Sequence, residues 1–213
     1  MEIKRVCLGD LQPLVKLEAR IFGKNGAYEE TDLKREISKR STVAYAAYCL
    51  EQAEVQLPPP QSQEKPPLQP KKLHVQSKER KKQSPPAVSE VEGQHRTLAG
   101  YILCSTTSLN VHVCRVAVVQ AYRRKGVARA LMRAAFQAAA KERRCCSASL
   151  YVSMANEPAI ALYKSAGFKE NGALFDYYKP GSHATKMAAD YDSQDFQAFL
   201  HAPPLGCQGE AAG

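Results

Sequence analysis

The 213-residue sequence lacks the features that mark membrane, secreted and zinc-binding proteins. No apolar run approaches the roughly 20 residues that a membrane-spanning helix needs, and the first residues, MEIKRVCLGD, carry charges where a secretory signal peptide has its apolar stretch. The seven cysteines form no CxxC pair, and no histidine pair stands at zinc-finger distance, which favours free thiols in a reducing compartment. We expect a cytoplasmic protein, with a nuclear or organellar location as the alternative, and neither a membrane nor a metal partner.

Acidic residues are in the minority. Lysine and arginine together number 30 against 21 aspartates and glutamates, so the formal net charge is +9. This charge favours acidic partners, and nucleotides, nucleic acid, a membrane surface and acidic peptides are all compatible with it. The length and the 44% hydrophobic content are sufficient for the core of one ordinary domain.

Two helices and two strands are predicted in the parts of the chain with regular hydrophobic patterns. Spacing near 3.6 residues in LGDLQPLVKLEARIF predicts a first helix that ends near Phe22, with Asp10 as its N-cap. A second short helix is expected from Thr31 onward. The segments 42–50 and 98–109 are rich in β-branched and aromatic residues and are predicted as strands.

The segment between these strands, residues 51–97, differs sharply in composition. It holds eight of the thirteen prolines and almost no aromatic residues, so it cannot bury enough apolar area to offset its ordering entropy. We expect a disordered insertion within a domain at 1–189, followed by a C-terminal tail at 190–213. The basic run KKLHVQSKERKK is interpreted as solvated charge, with a phosphate-binding or localisation patch as the alternative.

The turn before the longest predicted helix crowds positive charge at a helix start. A β-branched strand at 111–119 leads into YRRKGVARAL, where Arg123, Arg124 and Lys125 precede Gly126. The unpaired N–H groups and the positive dipole end of a helix that starts here would face the turn, which describes a pyrophosphate site. The turn has neither GxxxxGK(S/T) nor GxGxxG followed by a distant acidic residue, which excludes a P-loop and a Rossmann fingerprint. A solvated basic helix start is the alternative.

The spacing Arg123-x-x-Gly126-x-Ala128 after a strand resembles the R/Q-x-x-G-x-G/A signature of the GNAT acetyltransferase superfamily, which binds the pyrophosphate of acetyl-CoA at this turn. A second block, SLYVSMANEPAIALYKSAGF, resembles that superfamily's strand, Asn-capped helix, Tyr and Gly-Phe. The resemblance covers 1–50 and 98–189. It implies an α/β GNAT fold, a mixed central sheet flanked by helices, with acetyl-CoA as co-substrate. The cofactor-binding residues that it implies are Val116, Ala117, Val118, Arg123, Arg124, Lys125, Gly126, Val127, Ala128, Arg129 and Asn156.

A narrower resemblance lies at the two ends of the predicted domain. In GFKENGALFDYYKPG, Tyr177 stands nine residues after the Phe of Gly-Phe, a spacing found in N-terminal protein acetyltransferases and ribosomal-protein alanine acetyltransferases. The first helix also resembles theirs, because an acidic residue stands a few positions before Phe22. The resemblance implies that Phe22, Tyr28, Tyr177 and Tyr178 grip the first residues of the acceptor. Ordinary packing at the surface or in the core is the alternative role of these aromatic side chains.

The resemblance also implies catalytic roles. Tyr163 matches the superfamily's usual general acid, and a phenol with a reference pKa near 10 keeps its proton at neutral pH; packing alone is the alternative. Tyr151 stands where relatives often have a Glu or His base, and His112 on the preceding strand occupies a polar position that other relatives use. A histidine pKa near 6.5 suits water-mediated proton removal. Glu18 on the first helix is a third candidate base.

Three functions stay open from the sequence. An α-amino group with a pKa of about 7.7 to 8.0 is neutral in about one molecule in ten at pH 7, whereas a lysine near 10.4 is neutral in about one in two thousand. Because no strong base is evident, we expect transfer to protein N-termini by direct attack in a ternary complex, with the ribosome or an auxiliary subunit as a further partner. A lysine or small-amine acetyltransferase is the first alternative. A non-catalytic basic adaptor that binds RNA or the ribosome is the second.

Overall fold

A seven-stranded mixed sheet with helices on both faces forms the part of the chain that the computed structural model describes, residues 1–23, 26–50 and 96–203. The strands are β1 (Glu2–Arg5), β2 (Thr42–Leu50), β3 (Arg96–Thr106), β4 (Asn110–Val118), β5 (Ser147–Ser153), β6 (Lys169–Lys179) and β7 (Ser182–Asp190). The helices are α1 (Leu11–Phe22), α2 (Glu30–Ser38), α3 (Val127–Arg143), α4 (Glu157–Lys164) and α5 (Gln194–His201). Across the sheet the order is β1-β2-β3-β4-β5-β7-β6, and every neighbouring pair is antiparallel except β4 and β5.

Each face of the sheet packs against its own apolar cluster. On one face, α3 buries Leu131 and Phe136, and α5 adds Phe196 beside them. On the other face, α1 and α2 bury Leu14 and Leu33 against β2, β3 and β4. The apolar residues of α1 and α3 recur at helical spacing, so each helix presents a continuous apolar stripe to the sheet. The part of the sheet formed by β2, β3 and β4 is therefore covered on both faces, whereas β6 is exposed along most of its length.

β4 changes its register against β3 at one point. The pairing joins Cys104 to Val113 and Leu103 to Arg115. Cys114 is therefore an extra residue on β4, a β-bulge. Because successive side chains of a strand point to opposite faces, the extra residue reverses the alternation along β4. Val113 packs in the α3 cluster, whereas Arg115 reaches the α1 side.

The parallel pairing of β4 with β5 is short. It joins residues 110–113 to residues 147–150. Within the described residues, 114–118 of β4 and 151–153 of β5 are not paired with each other. The two strands thus separate, and the opening between them leaves one edge of the β4 backbone without a strand partner.

Several predicted bounds and one predicted cap need correction. β3 is Arg96–Thr106 and not 98–109, β4 begins and ends one residue before the predicted 111–119, and α2 begins at Glu30 and not at Thr31. Asp10 precedes α1, but its side chain does not cap that helix.

The carboxylate of Asp10 instead forms polar contacts with residues of β1, β2 and the segment after β1. It accepts hydrogen bonds from the Cys7 N–H (2.9 Å) and the Tyr48 hydroxyl (2.8 Å) and lies 2.6 Å from Lys4 Nζ. Burial alone would raise the pKa of Asp10, but these contacts hold it at about 2. A short acidic side chain before a helix can thus look like a cap in sequence while it belongs to a tertiary contact.

The predicted tail at 190–213 is wrong for its first part. Residues 194–201 form α5, whose Phe196, Phe199 and Leu200 are buried in the α3 cluster. The rest of the predicted tail beyond residue 203, and the predicted disordered insertion from 51 to 95, lie outside the described residues. No helix among the described residues is long and apolar enough to span a bilayer.

Candidate active site

The turn between β4 and α3 directs backbone N–H groups toward one point. Gly126 is the N-cap of α3 and has a φ of 76°, in the left-handed region that glycine adopts without strain. The first hydrogen bond of the helix runs from the Ala130 N–H to the Gly126 carbonyl (3.0 Å). The N–H groups of residues 127–129 therefore precede the helical ladder and have no acceptor within it. Together with the positive dipole end, they suit a phosphate anion.

The four cationic side chains of this turn divide into two pairs. Arg123 Nε donates to the Val118 carbonyl (3.1 Å), and Arg129 Nη1 donates to Ser165 Oγ (2.7 Å), so these two guanidinium groups brace the turn against neighbouring elements. Arg124 and Lys125 are exposed and form no ion pair within the described residues. Their charge is available to an anion at the helix start.

The unpaired edge of β4 at Val116, Ala117 and Val118 continues from this turn along the opening. On its other side, β3 approaches very closely. A Cβ on Gly100 would lie 2.5 Å from the Ala117 carbonyl oxygen, so glycine is required there. The edge that faces the opening therefore keeps backbone donors available to a ligand, as the resemblance implies for an acetyl group.

Tyr163 lies on α4 with its side chain largely buried. Its side chain is 9% exposed, and its ring centroid is 5.9 Å from that of Phe168. Burial, followed by the nearby Cys104 and Tyr178, raises the pKa of Tyr163 to about 12. No side chain or carbonyl among the described residues forms a hydrogen bond with its hydroxyl group. The phenol is thus protonated at neutral pH and free to donate to a ligand.

Both ends of α4 are fixed as the sequence predicts. Asn156 Oδ1 accepts from the Ala159 N–H (3.2 Å), which makes Asn156 the N-cap. At the other end, the Phe168 N–H donates to the Tyr163 carbonyl and the Gly167 N–H to that of Lys164, both at 3.0 Å. This is a Schellman motif with Gly167 at C′ and a φ of 86°. These caps hold the turn of α4 that carries Tyr163.

A second group of predicted site residues forms a continuous row of rings. Ring centroids are 5.0 Å apart between His112 and Tyr151, 5.1 Å between Tyr151 and Tyr177, and 4.9 Å between Tyr177 and Tyr178. Tyr177 and Tyr178 are about half exposed, so they are not core residues. The row begins on β4 and β5 where these strands separate and ends on the exposed β6 strand.

His112 stands in a small polar network at the start of this row. Its Nδ1 is 3.0 Å from Ser149 Oγ, which also accepts from Asn110 Nδ2 (2.9 Å). Burial and, second, the positive charge of Lys186 lower the pKa of His112. The imidazole is therefore neutral at pH 7, which a base requires.

Phe22 and Tyr28, the remaining predicted acceptor residues, stand on either side of Arg115. The guanidinium carbon of Arg115 is 4.2 Å from each ring centroid. Arg115 Nη1 also lies 2.9 Å from Glu18 Oε2, and the Glu18 side chain has no exposed area. Glu18 accepts a short hydrogen bond from the Tyr101 hydroxyl as well. Both carboxylate oxygens of Glu18 are thus buried and have donors, and the role of Glu18 as a third candidate base stays a prediction.

Sequence reasoning missed four residues of this site: Gly100, Tyr101, Arg115 and Ser149. Strict alternation along β4 places Arg115 on the same face as Val113, and only the bulge turns it toward α1. The spacing of the strand residues gives no signal for the bulge. Gly100 is an isolated glycine within a sequence typical of a strand. A glycine in such a position is a sign of a close backbone approach, and this was the one signal in the sequence.

Comparison with known proteins identifies the family of the chain. The model of the acetyltransferase (GNAT) family matches residues 49–168. An N-alpha-acetyltransferase of Sulfurisphaera tokodaii is 36% identical over 114 residues, which cover 48% of this chain and 66% of that protein. An N-alpha-acetyltransferase of Saccharolobus solfataricus is 39% identical over 77 residues, 36% of this chain and 46% of that protein. The chain thus spans between about half and two thirds of the length of these curated relatives.

Solved structures share the fold. The ribosomal-protein-S18-alanine N-acetyltransferase of Escherichia coli has a TM-score of 0.59 at 18% identity, with 89% of this chain and 92% of that chain covered. NAA60 of Arabidopsis thaliana in complex with acetyl-CoA has a TM-score of 0.61 at 17% identity (90% and 99% covered). The spermidine N-acetyltransferase SpeG of Vibrio cholerae has a TM-score of 0.57 at 15% identity (94% and 98% covered). The predicted fold class is confirmed, and because acceptors as different as a protein and a polyamine stand in these names, the fold alone does not select the acceptor.

Proposed function

The chain belongs to the GNAT acetyltransferase family, and from this premise we propose that it transfers an acetyl group from acetyl-CoA to the α-amino group of protein N-termini. One observation carries the proposal. Strand β4 ends its pairing with β5 at residue 113 and leads into the helix start at Gly126, and the ring row that begins at His112 ends at Tyr178, which contributes to the raised pKa of the buried Tyr163. The curated N-alpha-acetyltransferases that align with this chain support the choice of acceptor.

The residues at the β4–α3 turn fit the pyrophosphate of acetyl-CoA. The three N–H groups at 127–129 would bind phosphate oxygens, and Arg124 and Lys125 would add charge from solvent. The edge of β4 at 116–118 would hold the pantetheine and the acetyl carbonyl by backbone hydrogen bonds. Acetyl-CoA supplies the thioester that activates the acetyl group.

We assign Tyr163 the role of proton donor to the departing sulfur. Its hydroxyl has no competing partner among the described residues, and its raised pKa keeps the proton in place throughout the neutral range. With a pKa about three units above that of a thiol, full transfer is uphill, so a hydrogen bond that stabilises the developing thiolate is the larger contribution.

We assign His112 the role of base, acting on the ammonium of the acceptor directly or through water. If Nδ1–H donates to Ser149 Oγ, the Nε2 lone pair is left to accept the proton. The Ser149 hydroxyl can donate to Nδ1 as well as accept from it, so its contact orients the imidazole ring in either tautomer. Tyr151 packs against the base, with 5.0 Å between the two ring centroids. Because a phenol is a weak base at pH 7, we assign Tyr151 the role of holding the acceptor backbone and not that of the base.

The aromatic side chains favour a peptide N-terminus over a polyamine or a lysine. Tyr177, Tyr178, Phe22 and Tyr28 offer apolar rings and hydroxyl groups, whereas a site for a small polycation would favour carboxylates. An α-amino group also needs less help to lose its proton than a lysine does. The ribosome and an auxiliary subunit are proposed as further partners only, since the positive net charge is compatible with both.

The test is acetyl transfer to a panel of peptides with different free N-termini, each matched with an N-blocked peptide that carries one internal lysine. Spermidine is the small-amine arm. We expect reaction with free N-termini alone, and the panel then gives the preferred first residue. Reaction with blocked lysine peptides or spermidine alone would contradict the proposal in favour of the first alternative. Acetyl-CoA binding without any transfer would favour the adaptor.

A further inference from the structure

We propose that Arg115 is a positioning residue of the acceptor site, which ties Phe22 at the end of α1 and Tyr28 before the start of α2 to strand β4. The proposal rests on the proposed function, because it concerns the grip on the acceptor. Arg115 takes no part in the chemistry. It fixes where the rings of Phe22 and Tyr28 stand relative to the acetyl group.

Arg115 makes three contacts in this part of the chain. Its guanidinium lies between the rings of Phe22 and Tyr28, 4.2 Å from each centroid. Its Nη1 donates to the Gly26 carbonyl at 2.9 Å. One planar cation thus contacts the last residue of α1, Gly26 and Tyr28. A flat guanidinium is suited to stacking on two rings at once.

Glu18 adds contacts from inside the protein, and we call Arg115 and Glu18, with the residues Phe22, Gly26 and Tyr28 that they contact, the clasp. Its Oε2 accepts from Arg115 Nη1 and from the Tyr28 N–H, at 2.9 and 2.8 Å, and its Oε1 accepts from the Tyr101 hydroxyl. The carboxylate is fully buried, and each of its oxygens has a donor. An ion pair removed from water in this way holds one geometry, because the loss of either partner leaves a buried charge unpaired.

The position of Arg115 on β4 links the clasp to the proposed site of the acetyl group. It directly precedes Val116, where the unpaired edge that faces the cofactor opening continues toward the β4–α3 turn. One strand therefore carries both the donors for the acetyl group and the anchor for the acceptor's aromatic contacts. Motion of Phe22 and Tyr28 relative to β4 would move the acceptor amine away from the acetyl carbon, and such misplacement is costly for transfer.

The clasp also bears on specificity. The charge of Arg115 is paired with Glu18, and only 20% of its side chain is exposed. The surface at Phe22 and Tyr28 therefore presents aromatic rings and not an unpaired cation. An acceptor with an uncharged first side chain fits this surface better than an acidic one.

The test is the variant Arg115→Lys, which keeps the charge beside Glu18 and loses the flat stacking surface. With a peptide that has a free N-terminus, we expect the KM for the peptide to rise about tenfold and the KM for acetyl-CoA to stay within about twofold. Hydrogen–deuterium exchange with acetyl-CoA bound should rise at residues 26–28. Arg35→Lys is the matched control, because Arg35 forms an exposed ion pair with Asp32 on α2 and should change none of these quantities.

Unchanged exchange at residues 26–28 would overturn the proposal, and so would an equal rise in both KM values, which is the signature of a general loss of structure. Arg115→Met together with Glu18→Gln removes the pair without leaving a buried charge, and it should reproduce the rise in peptide KM. A wild-type chain that acetylates no α-amine would overturn the proposed function. The exchange measurement needs no acceptor and separates that failure from a failure of the clasp.

Discussion

At the scale of single residues, the hydroxyl of Tyr163 is the proposed proton donor of the transfer. The substitution Tyr163→Phe removes an oxygen that has no hydrogen-bond partner within the described residues, so the fold should be kept. We expect kcat to fall by about a hundredfold or more, as for the loss of a general acid, while acetyl-CoA affinity is unchanged. Steady-state kinetics with calorimetric titration of acetyl-CoA checks this. Tyr45→Phe, a half-buried tyrosine on β2, is the control; equal kinetics in both variants would remove Tyr163 from the mechanism.

The second prediction at this scale concerns the pKa of His112. Burial lowers this pKa first and the charge of Lys186 second, and a base with a lowered pKa loses activity only as pH falls further into the acid range. Lys186→Gln removes the like charge, so the pKa of His112 should rise toward its ordinary value and the acid limb of kcat should move to higher pH. NMR titration of the His112 ring and the pH profile of kcat measure this. Lys141→Gln on the exposed side of α3 should move neither, and an unmoved His112 pKa in the Lys186 variant would refute the electrostatic assignment.

Some site residues were predictable because their function follows from residue type and short-range spacing. Gly126 before a helix start, Asn156 at an N-cap and Gly167 at C′ each have a local backbone reason, and the structure shows all three in these positions. Arg115 was not predictable, because its role depends on a bulge and on partners far along the chain. The resemblance suggested Glu18 as a base, but its burial and its partners are tertiary facts.

At the scale of elements, α4 is positioned by what packs behind its C-terminal end. A Cβ on Gly167 would lie 2.7 Å from the Phe196 backbone nitrogen at the start of α5, and the φ of 86° strains any other residue. Gly167→Ala should lower the free energy of unfolding by about 2 to 5 kcal/mol, from left-handed strain plus overpacking. Gly172→Ala is the matched control, because its φ is 107° but nothing lies within 4 Å of an added Cβ. Its cost should be about 1 to 2 kcal/mol, and equal losses in urea unfolding would show that the contact with α5 is not the cause.

α5 also shows where reasoning about whole elements went wrong. The segment SQDFQAFLH falls in the predicted C-terminal tail, because its apolar residues form too short a pattern to predict a helix from sequence. In the fold, Phe196 and Phe199 pack against Phe136 of α3 and cover the apolar face that α3 presents to them. The elements with long periodic patterns, α1 and α3, and the β-branched strands were placed within a few residues. The pairing of β4 with β5 and its early end had no sequence signal other than the family resemblance.

At the scale of the whole molecule, the residues that flank the undescribed segment 51–95 are neighbours on adjacent strands. Leu50 of β2 and Arg96 of β3 are directly paired antiparallel partners, so their backbones can be joined by a two-residue hairpin turn. A chain in which Asn-Gly replaces residues 51–95 should keep the sheet, and its acetyl-CoA affinity and its kcat/KM for a short peptide should stay within about twofold, since a shorter loop changes closure entropy only slightly. A chain with residues 51–95 in scrambled order is the matched control.

Comparison of the wild type with the Asn-Gly chain tests whether residues 51–95 carry an adaptor role. If residues 51–95 carry an adaptor role, the wild type should bind RNA with an affinity that falls steeply with salt, and the Asn-Gly chain should lose that binding while it still acetylates peptides. If the wild type transfers the acetyl group and the Asn-Gly chain folds and binds acetyl-CoA but transfers none, residues 51–95 are needed for transfer and the described residues are not sufficient for the reaction. Retained transfer would show instead that one sheet, opened between β4 and β5, suffices to hold both substrates, and that the segment acts outside the chemistry.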